Sequence, residues 1–207
     1  MAGRFITLEG GEGVGKTTNI AFIQSMLASN NISVLLTREP GGTELAETLR
    51  NLLLDKEQEE ISEQAELLMM FAARAQHIKH VIKPALAQGT WVLCDRFTDA
   101  TYAYQGGGRN MSGDAIAWLE NFVQADLRPD LTLLLDAPIE IGMQRAGKRG
   151  ALDRFESEKM TFFTKVRQAY LDIAQQQPQR VKIIDATQDL ASVQADIQVV
   201  LQQFLPA

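Results

Sequence analysis

The sequence predicts a three-layer α/β fold in which a five-stranded parallel sheet carries helices on both faces. Three observations predict it. Short β-rich runs alternate along the chain with stretches of helical periodicity. One of the runs, Leu131 to Leu135, is apolar enough for a strand covered on both sides. The residues with the most chemistry follow the ends of the runs. Parallel neighbours need a crossover connection, and a helix is the usual one, so alternation of this kind points to a parallel sheet.

The elements follow in order. Phe5-Ile6-Thr7-Leu8 is a strand leading into glycines, and from Lys16 onward Ile20, Ile23, Met26 and Leu27 recur at helical spacing. Ser33 to Thr37 is a second strand, Arg38 to Thr43 a Pro-Gly-Gly loop, and Leu45, Leu49, Leu52 and Leu53 form a second helical stripe. Glu63 to Leu86 reads as one long helix stopped near Pro84 and Gly89. Thr90 to Cys94 is a third strand ending at Asp95, Leu131 to Leu135 a fourth and Val181 to Asp185 the last. The charge run Asp55 to Glu60 reads as a solvated loop and Gln175 to Gln177 as a helix end. Ligands of such sheets gather at the carboxyl ends of the strands. Glu9, Arg38, Asp95, Arg96 and Asp136 all fall there.

Length and composition set the bounds. A chain of 207 residues suits a single domain, 1–207, with a sizeable core. With 45% hydrophobic and 22% charged residues the composition is that of a soluble globular protein, and no apolar run reaches the roughly 18 residues of a membrane helix. The start, MAGRFITLEGG, enters a strand too soon for an export signal. Cys94 is the only cysteine, so an internal disulfide or a cysteine metal cluster is excluded and a reducing compartment, the cytoplasm, is expected. A net charge of −6 argues against a nucleic-acid polymer as partner, so an anionic ligand must meet local clusters of arginine and lysine.

Gly10-Gly11-Glu12-Gly13-Val14-Gly15-Lys16-Thr17, with Thr18 behind it, satisfies the Walker A pattern between a strand and a helix. The fold is therefore expected to be that of the P-loop NTPases, with these residues holding ATP. The glycines let backbone N–H groups turn toward phosphates, Lys16 supplies a charge to the β and γ phosphates, Thr17 offers a hydroxyl to Mg²⁺, and the helix N-terminus adds its dipole. The guanine-reading sequence Asn-Lys-x-Asp is absent, which favours ATP over GTP.

Side chains of such a loop splay outward, so Glu12 is expected at the rim, facing whatever accepts the phosphoryl group. The loop then offers no cation beyond Lys16, although the transferred phosphoryl group needs one. Arg145, Lys148 and Arg149, flanked by Gly147 and Gly150, supply cations in a short lid spanning about 142–155. Arg149 is the expected catalytic cation and Arg145 is assigned to the ATP side. Asp95 is expected to hold Mg²⁺ through water or to orient the acceptor. Arg96 and Arg38 are expected to grip a monophosphate. Phe71 and Arg74 share a helical face, an arrangement that suits stacking on and hydrogen bonding to a base. Tyr102, Tyr104 and Gln105 add groups near Asp95. Asp136 reads as a strand cap in preference to a second metal-side carboxylate.

The chain resembles the bacterial-type thymidylate kinases over nearly its whole length. The stretches that carry the resemblance are Phe5-Ile-Thr-Leu-Glu-Gly with the phosphate loop, Thr37-Arg-Glu-Pro-Gly-Gly-Thr43, Phe71-Ala-Ala-Arg-Ala-Gln76, Asp95-Arg-Phe97, Ala103-Tyr-Gln-Gly-Gly-Gly108 and Leu152-Asp-Arg-Phe-Glu156. The resemblance implies transfer of the ATP γ-phosphoryl group to dTMP in a Mg²⁺-dependent cytoplasmic homodimer. It implies that Arg38 and Arg96, with Arg50 as a further candidate, hold the dTMP phosphate, and that Glu39 and Gln105 line the same pocket. Phe71 would stack on thymine, Arg74 reach its O4, Thr101 lie near N3, Tyr104 sit under the sugar and Glu12 accept from the 3′-hydroxyl. Two points stay open. Many relatives carry the stacking phenylalanine one position earlier, where this chain has Met70, and Gly147 stands where relatives often have another arginine, which leaves the roles of Arg145, Lys148 and Arg149 undivided. The alternatives are another nucleoside monophosphate kinase, or a P-loop ATPase or switch protein that needs no acceptor.

Overall fold

The computed structural model describes residues 3–57, 59–147, 153–156 and 158–205. Its strands are β1 (Phe5–Glu9), β2 (Val34–Arg38), β3 (Trp91–Asp95), β4 (Leu131–Asp136) and β5 (Val181–Asp185), each within one residue of the sequence reading. They form a five-stranded parallel sheet in the order β2-β3-β1-β4-β5. In register, Arg38 lies opposite Asp95, Asp95 opposite Leu8, and Glu9 opposite Leu134, so the chemistry-bearing strand ends meet along one edge of the sheet.

Alternation of side chains divides the core. One face of the sheet presents Ile6, Leu8, Leu131, Leu133 and Leu135 to α1 (Lys16–Ser29) and α9 (Leu190–Phe204), which contribute Ile20, Ile23 and Leu27, and Val193, Ile197 and Leu201. The opposite face presents Phe5, Val92 and Cys94 to Ile78, Ile82 and Phe97, and Leu134 to Phe162, Phe163, Val166 and Tyr170 of α8 (Met160–Gln176). This is the three-layer arrangement the sequence predicts. Polar groups on β1, β4 and the segment before β5 pair with one another inside it. The hydroxyls of Thr7 and Thr132 lie 2.7 Å apart, and Arg180 donates to Thr132 and, through both terminal nitrogens, to Asp99 at 2.7 and 2.9 Å.

The remaining helices position the site. Thr43 caps α2 (Glu44–Leu54) and Ser62 caps α3 (Glu63–His77), each accepting a backbone N–H three residues on, with acidic residues in both first turns. The long helix expected over 63–86 is widened: α3 passes into a π-helical stretch, Ile78–Ile82, before α4 (Lys83–Ala87). Lys83 N–H donates five residues back to Ile78, and Pro84, which has no N–H, follows directly, so the widening removes a bond that proline could not have made. After β3 come α5 (Thr98–Thr101), a second π-helical stretch, Tyr102–Gly108, and α6 (Gly113–Gln124). A Cβ on Gly108 would lie 2.4 Å from the Phe162 ring, which is why a glycine lets this stretch lie directly on α8.

Of the span expected as a lid, residues 142–146 are the second half of a helix, α7 (Ile139–Ala146), and 148–152 lie outside the described residues. No helix among the described residues is long and apolar enough to cross a membrane.

Candidate active site

The phosphate loop leaves β1 and enters α1 through backbone that only glycine adopts without strain, with φ of 136° at Gly10, 69° at Gly13 and 92° at Gly15. Unlike α2 and α3, α1 has no side-chain cap and no acidic residue in its first turn. Its N–H groups and dipole are left for an anion. Lys16 Nζ folds back onto the carbonyls of Gly10 and Gly11 at 3.1 and 2.8 Å, while Thr17 and Thr18 are exposed and Val14 is buried in the core. Burial, and then the Arg96 guanidinium, push the Lys16 ammonium down to about 8, against the carboxylates of Glu12, Asp95 and Glu9. The backbone of α7 presses on the loop: a Cβ on Gly13 would lie 1.9 Å from the Gly142 carbonyl oxygen, and one on Gly142 2.4 Å from that of Glu12.

Beside the loop, an open cleft of about 810 Å³ is lined by Glu12, Arg38, Glu39, Arg50, Met70, Arg74, Asp95, Arg96, Thr101, Tyr104 and Gln105, and closed by Asp153 and Phe155. Four guanidinium groups converge on it. Arg96 has φ +66°, a left-handed conformation that aims its side chain at Glu12 Oε1, 2.6 Å away, and at the Tyr170 hydroxyl, 3.2 Å away. Arg38 is half exposed and pairs with Glu47 at 2.8 Å. Arg50 donates to the Pro40 carbonyl at 2.9 Å, and burial, followed by the charge of Arg38, pushes it below the usual arginine range. Arg74 is 3% exposed. It donates Nε to Glu39 Oε2 at 2.7 Å and Nη2 to Thr101 at 3.0 Å, while its buried Nη1 has no partner. Glu39 is fixed from its other oxygen by His77, 2.9 Å away, and His77 in turn meets Thr37 at 2.6 Å.

Asp95 carries a buried, unpartnered Oδ1 at the cleft wall. Among the described residues no cluster of three or more histidine, cysteine or acidic side chains fits a metal ion. One carboxylate oxygen and the Thr17 hydroxyl instead suit an ion held largely by phosphates and water.

Tyr104 is buried among Phe155, Phe162 and Tyr170 in edge-on contacts of 6.0–6.4 Å, and its hydroxyl donates to Glu12 at 2.6 Å. Below them Glu9, 0% exposed, accepts from the Phe97 N–H at 2.7 Å and the Tyr170 hydroxyl at 2.8 Å. Burial, and then Asp99, raise its carboxyl above the usual range. A second cavity, of about 410 Å³, runs from Gly10, Gly11 and Glu12 to Asp136, Pro138 and Arg167. Glu12 therefore borders both.

One residue differs from expectation. Phe71 does not line the cleft: it is 2% exposed and packs with Leu67 and Ile116 between α3 and α6, while Met70 forms the wall. One residue along a helix turns the side chain by about 100°, enough to exchange wall for core. Arg145 donates to the Ala186 carbonyl at 2.9 Å, beyond the end of β5. Asp136 has both carboxylate oxygens on Arg167, at 2.7 and 2.8 Å, as a strand-end ion pair. Lys148 and Arg149 lie outside the described residues. Sequence reasoning missed Tyr170, Glu66 and His77, which no motif marks. It also missed Asp153 and Phe155, although both stand in a stretch the resemblance drew on.

A sequence profile described as thymidylate kinase matches residues 8–197. The chain is 59% identical, over all of its length and 99% of the other, to the thymidylate kinase of Ectopseudomonas mendocina (strain ymp). It is 57% identical to that of Teredinibacter turnerae (strain ATCC 39867 / T7901), covering 99% of this chain and 100% of the relative. A crystal structure of thymidylate kinase from Ehrlichia chaffeensis superposes with a TM-score of 0.77 at 35% identity, over 98% of this chain and 99% of that one.

The lowered Lys16 predicts a proton-linked binding event. Near pH 8 about half of its ammonium is deprotonated, and a polyphosphate restores the charge, so ATP binding takes up a fraction of a proton that fades about two pH units lower. Calorimetric titration in two buffers of different ionisation enthalpy measures it. Lys16→Arg, always charged, should abolish the uptake, and equal uptake in both proteins would remove Lys16 as the source.

Proposed function

We infer the reaction from one premise, that the chain belongs to the thymidylate kinase family: it transfers the γ-phosphoryl group of ATP to dTMP, giving ADP and dTDP for dTTP synthesis. The observation that carries the reading is the junction at Glu12, where an uncapped phosphate loop meets a cleft lined by four arginines. An anion-binding helix end supports one nucleotide and the guanidinium cluster supports the phosphate of the other.

The loop amides and Lys16 hold the ATP phosphates. Arg96 and Arg38, with Arg50 behind them, hold the acceptor phosphate. Its second pKa is about 6, so an oxygen is already ionised at neutral pH and can attack the γ phosphorus without a general base, ADP leaving on the opposite side. Catalysis is then alignment and charge neutralisation. The unpartnered Arg74 Nη1 is a donor for the base O4, Thr101 borders N3, and Met70 provides the apolar surface under the ring in place of Phe71. Tyr104 lies beneath the sugar, and Glu12 exchanges its present partners for the 3′-hydroxyl. Thr17 and Asp95 would hold Mg²⁺, which would supply positive charge to offset that of the ATP phosphates. Arg149 is the proposed cation for the phosphoryl group in transfer, with Arg145 on the ATP side.

Two further parts of the reading rest on the surface and on composition. A homodimer is supported by Trp118 and Phe122 of α6, 64% and 74% exposed with rings stacked at 8°, and by Leu68, 58% exposed, on the neighbouring α3. Apolar rings of this size in water mark an interface. A cytoplasmic location is supported by the unpaired thiol of Cys94.

ADP release from ATP and Mg²⁺, measured with dTMP, dUMP, dCMP, AMP or GMP added singly, should be fastest with dTMP and negligible without acceptor. In the same assay Arg149→Ala should lower kcat by a factor on the order of 10³ with dTMP affinity little changed. Predominant turnover with AMP, or acceptor-free hydrolysis, overturns the reading, and a change confined to KM removes the role of Arg149. Sedimentation equilibrium should show the double variant Trp118→Glu/Phe122→Glu as a monomer. A retained dimer would place the interface elsewhere.

A further inference from the structure

Glu66 stands outside every motif, yet it is one of the most heavily bonded carboxylates near the cleft. It lies in the first turn of α3, 1% exposed. Oε1 accepts from Gln105 Nε2 at 2.9 Å and from Arg109 Nε at 3.4 Å. Oε2 accepts from Arg154 Nη2 at 2.6 Å and from Arg109 Nη2 at 3.3 Å. Two of the three donors connect Glu66 to the acceptor cleft. Gln105 lines it, and Arg154 stands between Asp153 and Phe155, which close its far side.

Arg154 is held from three directions. Its Nε donates to the Leu53 carbonyl at 2.6 Å and its backbone N–H to that of Leu54 at 3.3 Å, at the C-terminal end of α2, where a cation suits the helix dipole. Its guanidinium lies 4.4 Å from the centre of the Phe155 ring. Arg109 completes the cluster, pairing with Glu158 at 2.5 Å and lying 4.9 Å from the Phe162 ring. Two arginines and two glutamates balance, and the most buried charge, Glu66, has the most donors, which is the condition under which a buried ion network holds one geometry.

We propose that Glu66 is a positioning residue for the acceptor: through Arg154 it fixes Asp153 and Phe155 as the far wall of the dTMP cleft, and through Gln105 it fixes the wall beside the sugar. Neither contact touches the phosphate loop. Loss of the anchor therefore weakens the acceptor site and leaves the ATP site intact. The proposal rests on the phosphoryl-transfer reading, and the two fail differently: the wild-type protein tests the reaction, the variants test the anchor.

The test is steady-state kinetics and dTMP binding by calorimetry for Glu66→Gln, Arg154→Met, Arg154→Lys and the double variant Glu66→Gln/Arg154→Met. Arg154→Met should raise KM and Kd for dTMP roughly tenfold with KM for ATP unchanged, the double variant should be no worse than the worse single one, and Arg154→Lys should recover part of the loss. Should Glu66→Gln fail to fold, Arg154→Met still decides, since it leaves Glu66 bonded to Gln105 and Arg109. Equal losses for ATP and dTMP, additive effects in the double variant, or a lowered melting temperature with unaltered dTMP affinity would each overturn the proposal.

Discussion

The site depends on one corner of backbone, the turn from β3 through Arg96 to Phe97. Arg96 adopts a left-handed conformation that costs a non-glycine residue about 1–2 kcal/mol. Its neighbours hold it there. The Arg96 N–H donates to Leu8, the Phe97 N–H donates to the buried carboxylate of Glu9, and the Asp95 carbonyl accepts from Glu39. Each of these bonds ties β3 to an adjacent strand end, so the corner is fixed by the sheet order itself. Without that order the Arg96 guanidinium would not reach Glu12, and the phosphate loop and the acceptor cleft would have no shared boundary.

Charge inside the cleft explains how an acidic protein can receive two polyanions. The arginines there already have protein partners: Arg74 has Glu39, Arg96 has Glu12, Arg38 has Glu47, and Arg50 has a carbonyl. The Arg74–Glu39 pair is almost wholly buried and sets geometry, whereas Arg38–Glu47 is exposed and weak. A phosphate can take the exposed Arg38 from Glu47 at small cost, while the buried Arg74–Glu39 pair keeps a spare donor at the cleft wall. Burial, and then the charge of Arg38, depress Arg50, and an anion beside it would offset both.

Much of this was legible in the sequence. Strands buried on both faces need apolar β-rich runs and end where polar residues begin, which is why all five strands and their chemistry-bearing ends could be read from local pattern. The phosphate loop was legible because glycines at fixed spacing are required by its φ angles. The base wall was not, because Met70 and Phe71 both fit a helical stripe and only the packing of α6 against α3 decides which is core. Tyr170, His77 and Glu66 were invisible for a related reason: each acts through a partner distant in sequence, 161 residues away for Tyr170 and Glu9, and such pairings exist only after the chain has folded. The π-helical stretches were equally hidden, since they answer a missing proline N–H and a close approach to α8.

The most direct measurement is a crystal structure with dTMP bound. The account predicts the dTMP phosphate within about 3 Å of guanidinium nitrogens of both Arg96 and Arg38, with the base over Met70 and against Arg74. A phosphate bound away from both arginines, or a base seated on the Phe71 side of α3, would contradict it.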